Sequence, residues 1–153
     1  MTETRSPVVA EIHIDSTLDS SHRLPFVPES HRCSKPHGHT FSVRLFAKGE
    51  VVETGGFATG MVSDYDDVLA VWTPLHEQLD HRVLNDVPGL DNPTCENLAI
   101  WILERTPAWI TAVEIGTGLV GGMRAACRID REILRRVGSS PYESAFVNVP
   151  SKV

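Results

Sequence analysis

The sequence predicts an α+β domain in which an antiparallel sheet carries two helices on one face. Three observations predict it. Residues 8–16 and 40–52 alternate apolar and polar side chains, as half-buried strands do. The period lengthens to helical spacing over residues 64–80 and again after Thr94. Residues 109–115 and 123–130 then return to strand-like runs joined by the Gly-rich "GTGLVGG". The order strand, strand, helix, helix, strand, strand closes one four-stranded sheet over a single domain, 1–153, with tails at 1–7 and about 135–153.

Each element has a local reason. "VVAEIHIDS" (8–16) alternates, and residues 17–36, rich in Ser, Pro and His, read as a loop. In 40–52, Phe41, Val43 and Leu45 oppose Ser42, Arg44 and Phe46, which predicts a longer strand. "ETGGFATG" (53–60) is a turn or loop tip. Asp64 sits at an N-cap position, and Tyr65, Val68, Leu69, Trp72, Leu75 and Leu79 form the apolar stripe behind it. Pro74 marks a kink or a fresh first turn. "DVPGLDNP" (86–93) is a loop; Thr94 opens the second helix, whose apolar face is Leu98, Ile102 and Leu103, and Pro107 ends it.

Composition narrows the function. The 153-residue chain is long enough to bury a core, and its 41% hydrophobic and 22% charged content is ordinary for a globular domain. A formal net charge of −6 leaves no basic footprint for nucleic acid, while a small phosphorylated partner remains compatible with a local site. No stretch is long and apolar enough to span a membrane, and the first residues lack the pattern of a secretory signal. Cys33, Cys95 and Cys127 are widely spaced and odd in number, which predicts reduced thiols and a cytoplasmic protein.

The chemistry concentrates in "CSKPHGHTF" (33–41). His37 and His39 stand at i and i+2 where a strand begins, so their imidazoles share a face and can share a zinc ion, Zn2+. Gly38 between them leaves room for close approach. A catalytic zinc needs a third protein ligand; His22 is the candidate beside the first strand, with His13, His31 and His76 as competitors. Cys33 suits either a closed zinc site or a free thiol near a metal and a base. Cys95 and Cys127 read as small buried hydrophobes. Asp80 and His81 are adjacent, so the carboxylate can fix the imidazole's tautomer; a histidine favoured by the helix C-terminus is the plainer reading.

Taken together, these residues resemble the 6-pyruvoyl-tetrahydropterin synthase family, most closely its bacterial branch, the 6-carboxy-5,6,7,8-tetrahydropterin synthases of queuosine (7-deazapurine) biosynthesis. The likeness runs from about residue 12 to about 130. It is carried by "SSHRLPFVPESHRCSKPHGHTFSVRL", "GMVSDYDDV", "LDHRVLNDVPGLDNPTCENLAIWI" and "AVEIGT". The resemblance implies the tunnelling fold and assembly into a ring, commonly a homohexamer of two stacked trimers with active sites between subunits. It implies zinc on His22, His37 and His39, Cys33 as general base, and Asp80 with His81 as the acid–base pair. Thr94, Glu96 and Thr117 fall at substrate-binding positions. The implied substrate is 7,8-dihydroneopterin triphosphate, transformed by thiolate-assisted proton transfer followed by elimination or carbon–carbon cleavage.

One departure bears on the substrate. The family anchors its pterin ring with a glutamate in a V-x-V-x-E-T strand, and "VEIGTG" (113–118) puts Thr117 there. Glu114 faces the other side by strand alternation. Glycines at 116, 118, 121 and 122 suggest a wider, less polar ring pocket. Three functions follow: a zinc lyase on dihydroneopterin triphosphate, the same chemistry on a non-pterin polyol or nucleoside-like substrate, or a non-catalytic ring protein with structural zinc. The last has no use for Cys33, Asp80 and His81.

Overall fold

In a computed structural model, residues 6–118 and 124–137 are described. Four strands, β1 (Val9–His22), β2 (His37–Glu50), β3 (Ile110–Gly116) and β4 (Ala126–Asp130), form one sheet in the order β1-β2-β3-β4. Every neighbouring pair is antiparallel. Helices α1 (Tyr65–Leu79) and α2 (Cys95–Glu104) cross between β2 and β3, and a short α3 (Arg131–Val137) follows β4.

The alternation of the strands sorts the sheet into two unlike faces. Leu18, Phe41, Val43, Leu45, Val113 and Ile115 point inward and are buried against Val68, Trp72, Leu75 and Leu79 of α1 and Leu98, Ile102 and Leu103 of α2. The outer face is a ladder of charges. Arg44 pairs with Asp15 and approaches Glu114, while Arg128 pairs with Glu11 and Asp130. The Arg128 guanidinium lies 3.9 Å from the centre of the Phe46 ring, which explains how Phe46 is buried on that face.

Both helices begin as their caps predict. The Asp64 carboxylate accepts from the Asp66 amide, and the Thr94 hydroxyl accepts from the Asn97 amide. Pro74 does not end α1, which continues to Leu79. Tyr65 and Leu69 are exposed rather than part of the buried stripe, because at 100° per residue they lie at the margin of the line through 68, 72, 75 and 79.

Two segments differ from expectation. Residues 17–22 are not loop but the continuation of β1, paired with β2 as far as His22 opposite His37. Their inward positions, Ser20 and His22, are polar, so the apolar alternation fades although the strand does not. Similarly, β2 begins at His37, three residues before the expected start. The second difference is α3, in a stretch without a clear sequence period. Arg131 at its start explains its placement: the guanidinium donates to the carbonyls of Leu103, Thr106, Ile110 and Pro107 and to the Thr106 hydroxyl. One side chain thereby satisfies the C-terminal end of α2 and its link to β3. Gly116 is required by close approach: a Cβ there would stand 2.5 Å from Ser42 Oγ and 3.2 Å from the Ala125 carbonyl.

Arg131→Ala is expected to lower the unfolding free energy by about 2 kcal/mol, since charged hydrogen bonds are lost to carbonyls left partly buried. Arg131→Lys should recover under half of that, because an ammonium cannot reproduce the planar fork. Urea unfolding of the two variants checks both values.

Candidate metal centre and active site

The long β1–β2 ladder brings the histidines together. His22 and His37 are partners on its last rung, and His39 lies two residues further along β2 on the same inward face. One ring nitrogen from each of His22, His37 and His39 falls within 4.8 Å of the others, with His22 buried and the other two half-buried. The His39 ring stands edge to face with His22 and His37, which are tilted against each other; centroids are 4.6 to 5.1 Å apart, and His22 and His39 rest on Phe41. The competitors lie elsewhere. His13 is on the outer face beside Phe46, His31 accepts from the Cys33 amide, and His76 bonds the Thr17 carbonyl from α1. Gly38 is not needed for the approach, since a Cβ there would meet only the Ser20 carbonyl at an ordinary 3.8 Å.

Backbone carbonyls set the tautomers of two of the three rings. His22 Nδ1 is 2.7 Å from the Pro93 carbonyl and His37 Nδ1 is 2.8 Å from the Lys35 carbonyl. A carbonyl only accepts, so both Nδ1 atoms carry the proton and both Nε2 atoms present lone pairs. Those Nε2 atoms are 3.1 Å apart. Two facing lone pairs repel unless a proton or a cation lies between them. Tetrahedral zinc with bonds of 2.0–2.1 Å would place two nitrogens about 3.3 Å apart, so the donor set fits such an ion. Burial pushes the His22 and His39 pKa values down and the neighbouring imidazoles push them further, although the Pro93 carbonyl opposes the shift at His22; the net effect favours the neutral rings that ligation needs.

The Asp80–His81 pair is laced onto the same strand. The Ser20 hydroxyl donates to the Leu79 carbonyl, His81 N to the Asp19 carbonyl, and Ser21 N to the Arg82 carbonyl. Asp80 Oδ1 accepts from the Asp19 amide, and Oδ2 accepts from His81 Nδ1 at 2.7 Å. The Asp19 amide, followed by His81, holds the Asp80 carboxyl below its ordinary pKa, so it stays an anion. His81 adopts a left-handed backbone, φ 55°, uncommon outside glycine and held here by these bonds. Its side chain is 79% exposed.

Cys33 is half-buried in a 3-10 turn whose carbonyl accepts from the Leu24 amide, and it lies outside the histidine cluster. Among the described residues no hydrogen bond or ion pair joins Cys33 to Asp80 or His81. The other two thiols, expected to be buried, are only half-buried, Cys95 against the core and Cys127 on the short strand β4. Burial, with Glu96 and Cys127 nearby, raises the Cys95 pKa to about 11, and burial likewise raises that of Cys127. The Thr94 hydroxyl is engaged as a helix cap and Glu96 is exposed in the first turn of α2. Thr117 is held through its amide to the Ala125 carbonyl, and Glu114 lies on the outer face beside Arg44. Gly121 and Gly122 of the expected pocket wall lie outside the described residues.

The profile of the 6-pyruvoyl tetrahydropterin synthase family matches residues 11–116. The chain belongs to this family. It is 36% identical over 95 residues to the 6-carboxy-5,6,7,8-tetrahydropterin synthase of Synechocystis sp., covering 61% of this chain and 72% of that protein. It is 42% identical over 69 residues to a dihydroneopterin monophosphate aldolase of Pyrococcus furiosus, covering 45% and 54% respectively. The fold matches that of Caenorhabditis elegans 6-pyruvoyl tetrahydropterin synthase with a TM-score of 0.64 at 19% identity, over 81% of this chain and 98% of the other. The sheet with its helices is therefore the tunnelling fold, and the family is one of pterin-metabolising enzymes.

Sequence reasoning finds every side chain of the histidine cluster and misses what aims them. The Pro93 and Lys35 carbonyls leave no side-chain signature. Titration should expose the cluster in the metal-free protein. The unfolded state binds protons on His22 and His39 near their ordinary pKa of about 6.5, whereas the folded state resists them. Stability is then full above about pH 6.5 and declines as pH falls below it. Thermal unfolding from pH 8 to 5 should show this decline, and His22→Gln should flatten it.

Proposed function

We propose that this protein is a zinc-dependent lyase of the pterin branch, acting on 7,8-dihydroneopterin triphosphate or a close relative through a reading head altered at Thr117. The observation that carries the proposal is the 3.1 Å approach of the His22 and His37 Nε2 atoms, each left with a lone pair by a carbonyl on its far side. His22, His37 and His39 hold the metal in this reading, three neutral ligands that leave a position open. Bound zinc supplies a Lewis acid that makes a substrate hydroxyl more acidic.

The chain's own groups move the protons. Cys33 Sγ accepts a proton from the substrate side chain. His81 Nε2 is the free nitrogen of its ring, because Nδ1–H is committed to Asp80, and it exchanges a proton with the reacting carbon or oxygen. Elimination of triphosphate or carbon–carbon cleavage completes the turnover. His81 is exposed, and among the described residues no hydrogen bond joins it to Cys33, which suits a site completed by a second copy in a ring of two stacked trimers. Three unpaired cysteines fit the reducing cytoplasm.

A second reading, the same chemistry on a non-pterin polyol or nucleoside-like substrate, is favoured by the β3 geometry. Glu114 is turned to the outer face and engaged near Arg44, so it does not replace the anchoring carboxylate missing at Thr117. Charge-assisted hydrogen bonds contribute roughly 1.5–3 kcal/mol each, so losing a pair weakens pterin recognition by about two orders of magnitude or more.

Two measurements test the proposal. Metal analysis of His37→Ala should show zinc lost, and full retention would remove His37 from the site. Zinc-loaded protein incubated with dihydroneopterin triphosphate, with products read by mass spectrometry, should turn over slowly. Thr117→Glu should then raise kcat/KM by about tenfold or more, as a charged acceptor pair returns. Family-normal turnover by the unaltered protein would instead show that another group binds the ring edge.

A further inference from the structure

We propose that Asn85 is the positioning residue of the metal centre, orienting His22 from two directions at once. Its side-chain amide makes three hydrogen bonds, all to backbone. Oδ1 accepts from Arg23 N at 2.9 Å, and Nδ2 donates to the Arg23 carbonyl at 2.9 Å and to the Asp91 carbonyl at 3.2 Å. The first two bonds copy the exchange of a backbone strand pair, so Asn85 acts as one more rung of sheet just past the end of β1. Arg23 is the residue after His22, and this rung fixes the backbone that aims the His22 ring.

The third bond works on the other end of the same imidazole. Asp91 stands two residues before Pro93, whose carbonyl accepts from His22 Nδ1 at 2.7 Å. Asn97 Nδ2 holds the intervening Asn92 carbonyl at 2.8 Å. The loop 91–93 is thereby tied on both sides, and the Pro93 oxygen is presented at one place. A carbonyl so placed keeps the proton on Nδ1 and turns Nε2 toward His37. An asparagine suits the position because it offers an acceptor and two donors in one plane. An aspartate there would set a second oxygen against the Arg23 and Asp91 carbonyls.

Partners beyond the direct ligands govern ring orientation and basicity, and their loss typically weakens metal affinity about 10–100-fold. The inference rests on the metal reading proposed above, so its test separates the two. Asn85→Asp is compared with the unaltered protein and with Arg131→Lys, a destabilised control remote from the site. Three quantities are read: Zn2+ affinity by chelator competition, the d–d absorption of the Co2+-substituted protein, and the His22 Nδ1–H resonance of the metal-free protein by NMR. Asn85→Asp should bind Zn2+ about 10–100-fold more weakly, with an altered Co2+ spectrum and a rapidly exchanging Nδ1–H, while Arg131→Lys leaves all three unchanged.

Affinity, spectrum and Nδ1–H all retained in Asn85→Asp would overturn the proposal. Equal weakening in Arg131→Lys would also overturn it, because loss of stability would then account for the effect. A wild-type chain that binds no metal, but loses the protected Nδ1–H on Asn85→Asp, would support the positioning role while refuting the metal reading. Should the variant fail to fold, exchange in the unaltered protein decides. Arg23 N–H and His22 Nδ1–H must both be protected, and free-loop exchange of either overturns the role.

Discussion

The last rung of the β1–β2 ladder, His22 opposite His37, is the constraint on which the site depends. Strand pairing alternates faces with a period of two, so a slip of one residue would send His37 and His39 to the outer face and leave His22 alone within. The buried stretch behind that rung, Leu18 with Phe41 and Val43, makes such a slip costly, since it would also expose the core. Register is thus enforced by the apolar part of the ladder and used by its polar end. The histidine cluster occupies the place where the hydrophobic face of the sheet runs out.

Around that rung, polar groups are held by backbone more than by one another. The carbonyls of Pro93 and Lys35 set two tautomers, and the Asp19 amide holds Asp80 as an anion. The segment after α1 runs beside β1 through Ser20, Asp19 and Ser21, so the Asp80–His81 pair is tied to the same strand that carries His22. Backbone donors and acceptors are well suited to this task. They cannot titrate, and they bring little side-chain entropy to be lost. The left-handed conformation of His81 is the local strain in this arrangement, and the surrounding bonds over-determine it.

The two faces of the sheet divide charge from chemistry. Ion pairs along the outer face link β1, β2, β3 and β4 through Arg44 and Arg128, and exposed pairs of this kind contribute little individually to stability. Their consequence for function lies in Glu114. Placed at an outward position of β3 and drawn toward Arg44, it is turned away from the inward face that carries the histidine cluster. Gly116, between Glu114 and Thr117, is fixed by crowding against Ser42, so it belongs to the packing of the sheet and not to an enlarged pocket.

The sequence alone determined the fold class, the four strands, both principal helices with their caps, and the His37–His39 pair, because each is written in local periodicity or in side-chain type. Phe41, Val43 and Leu45 alternate, Val68, Trp72, Leu75 and Leu79 recur at helical spacing, and H-x-H sets two imidazoles on one side of a strand. The tertiary structure decided what no local pattern encodes. Residues 17–22 became strand because β2 offered a partner, although Ser20 and His22 hid the apolar alternation. Helix α3 formed where Arg131 met four carbonyls of the segment from Leu103 to Ile110, more than twenty residues earlier in the chain. His22 was chosen over His13, His31 and His76 by register, and its tautomer by the oxygen of Pro93. Periodicity reports which way a side chain points along its own element. Which atom it meets there depends on segments far away in the chain, and only their packing brings that atom within bonding distance.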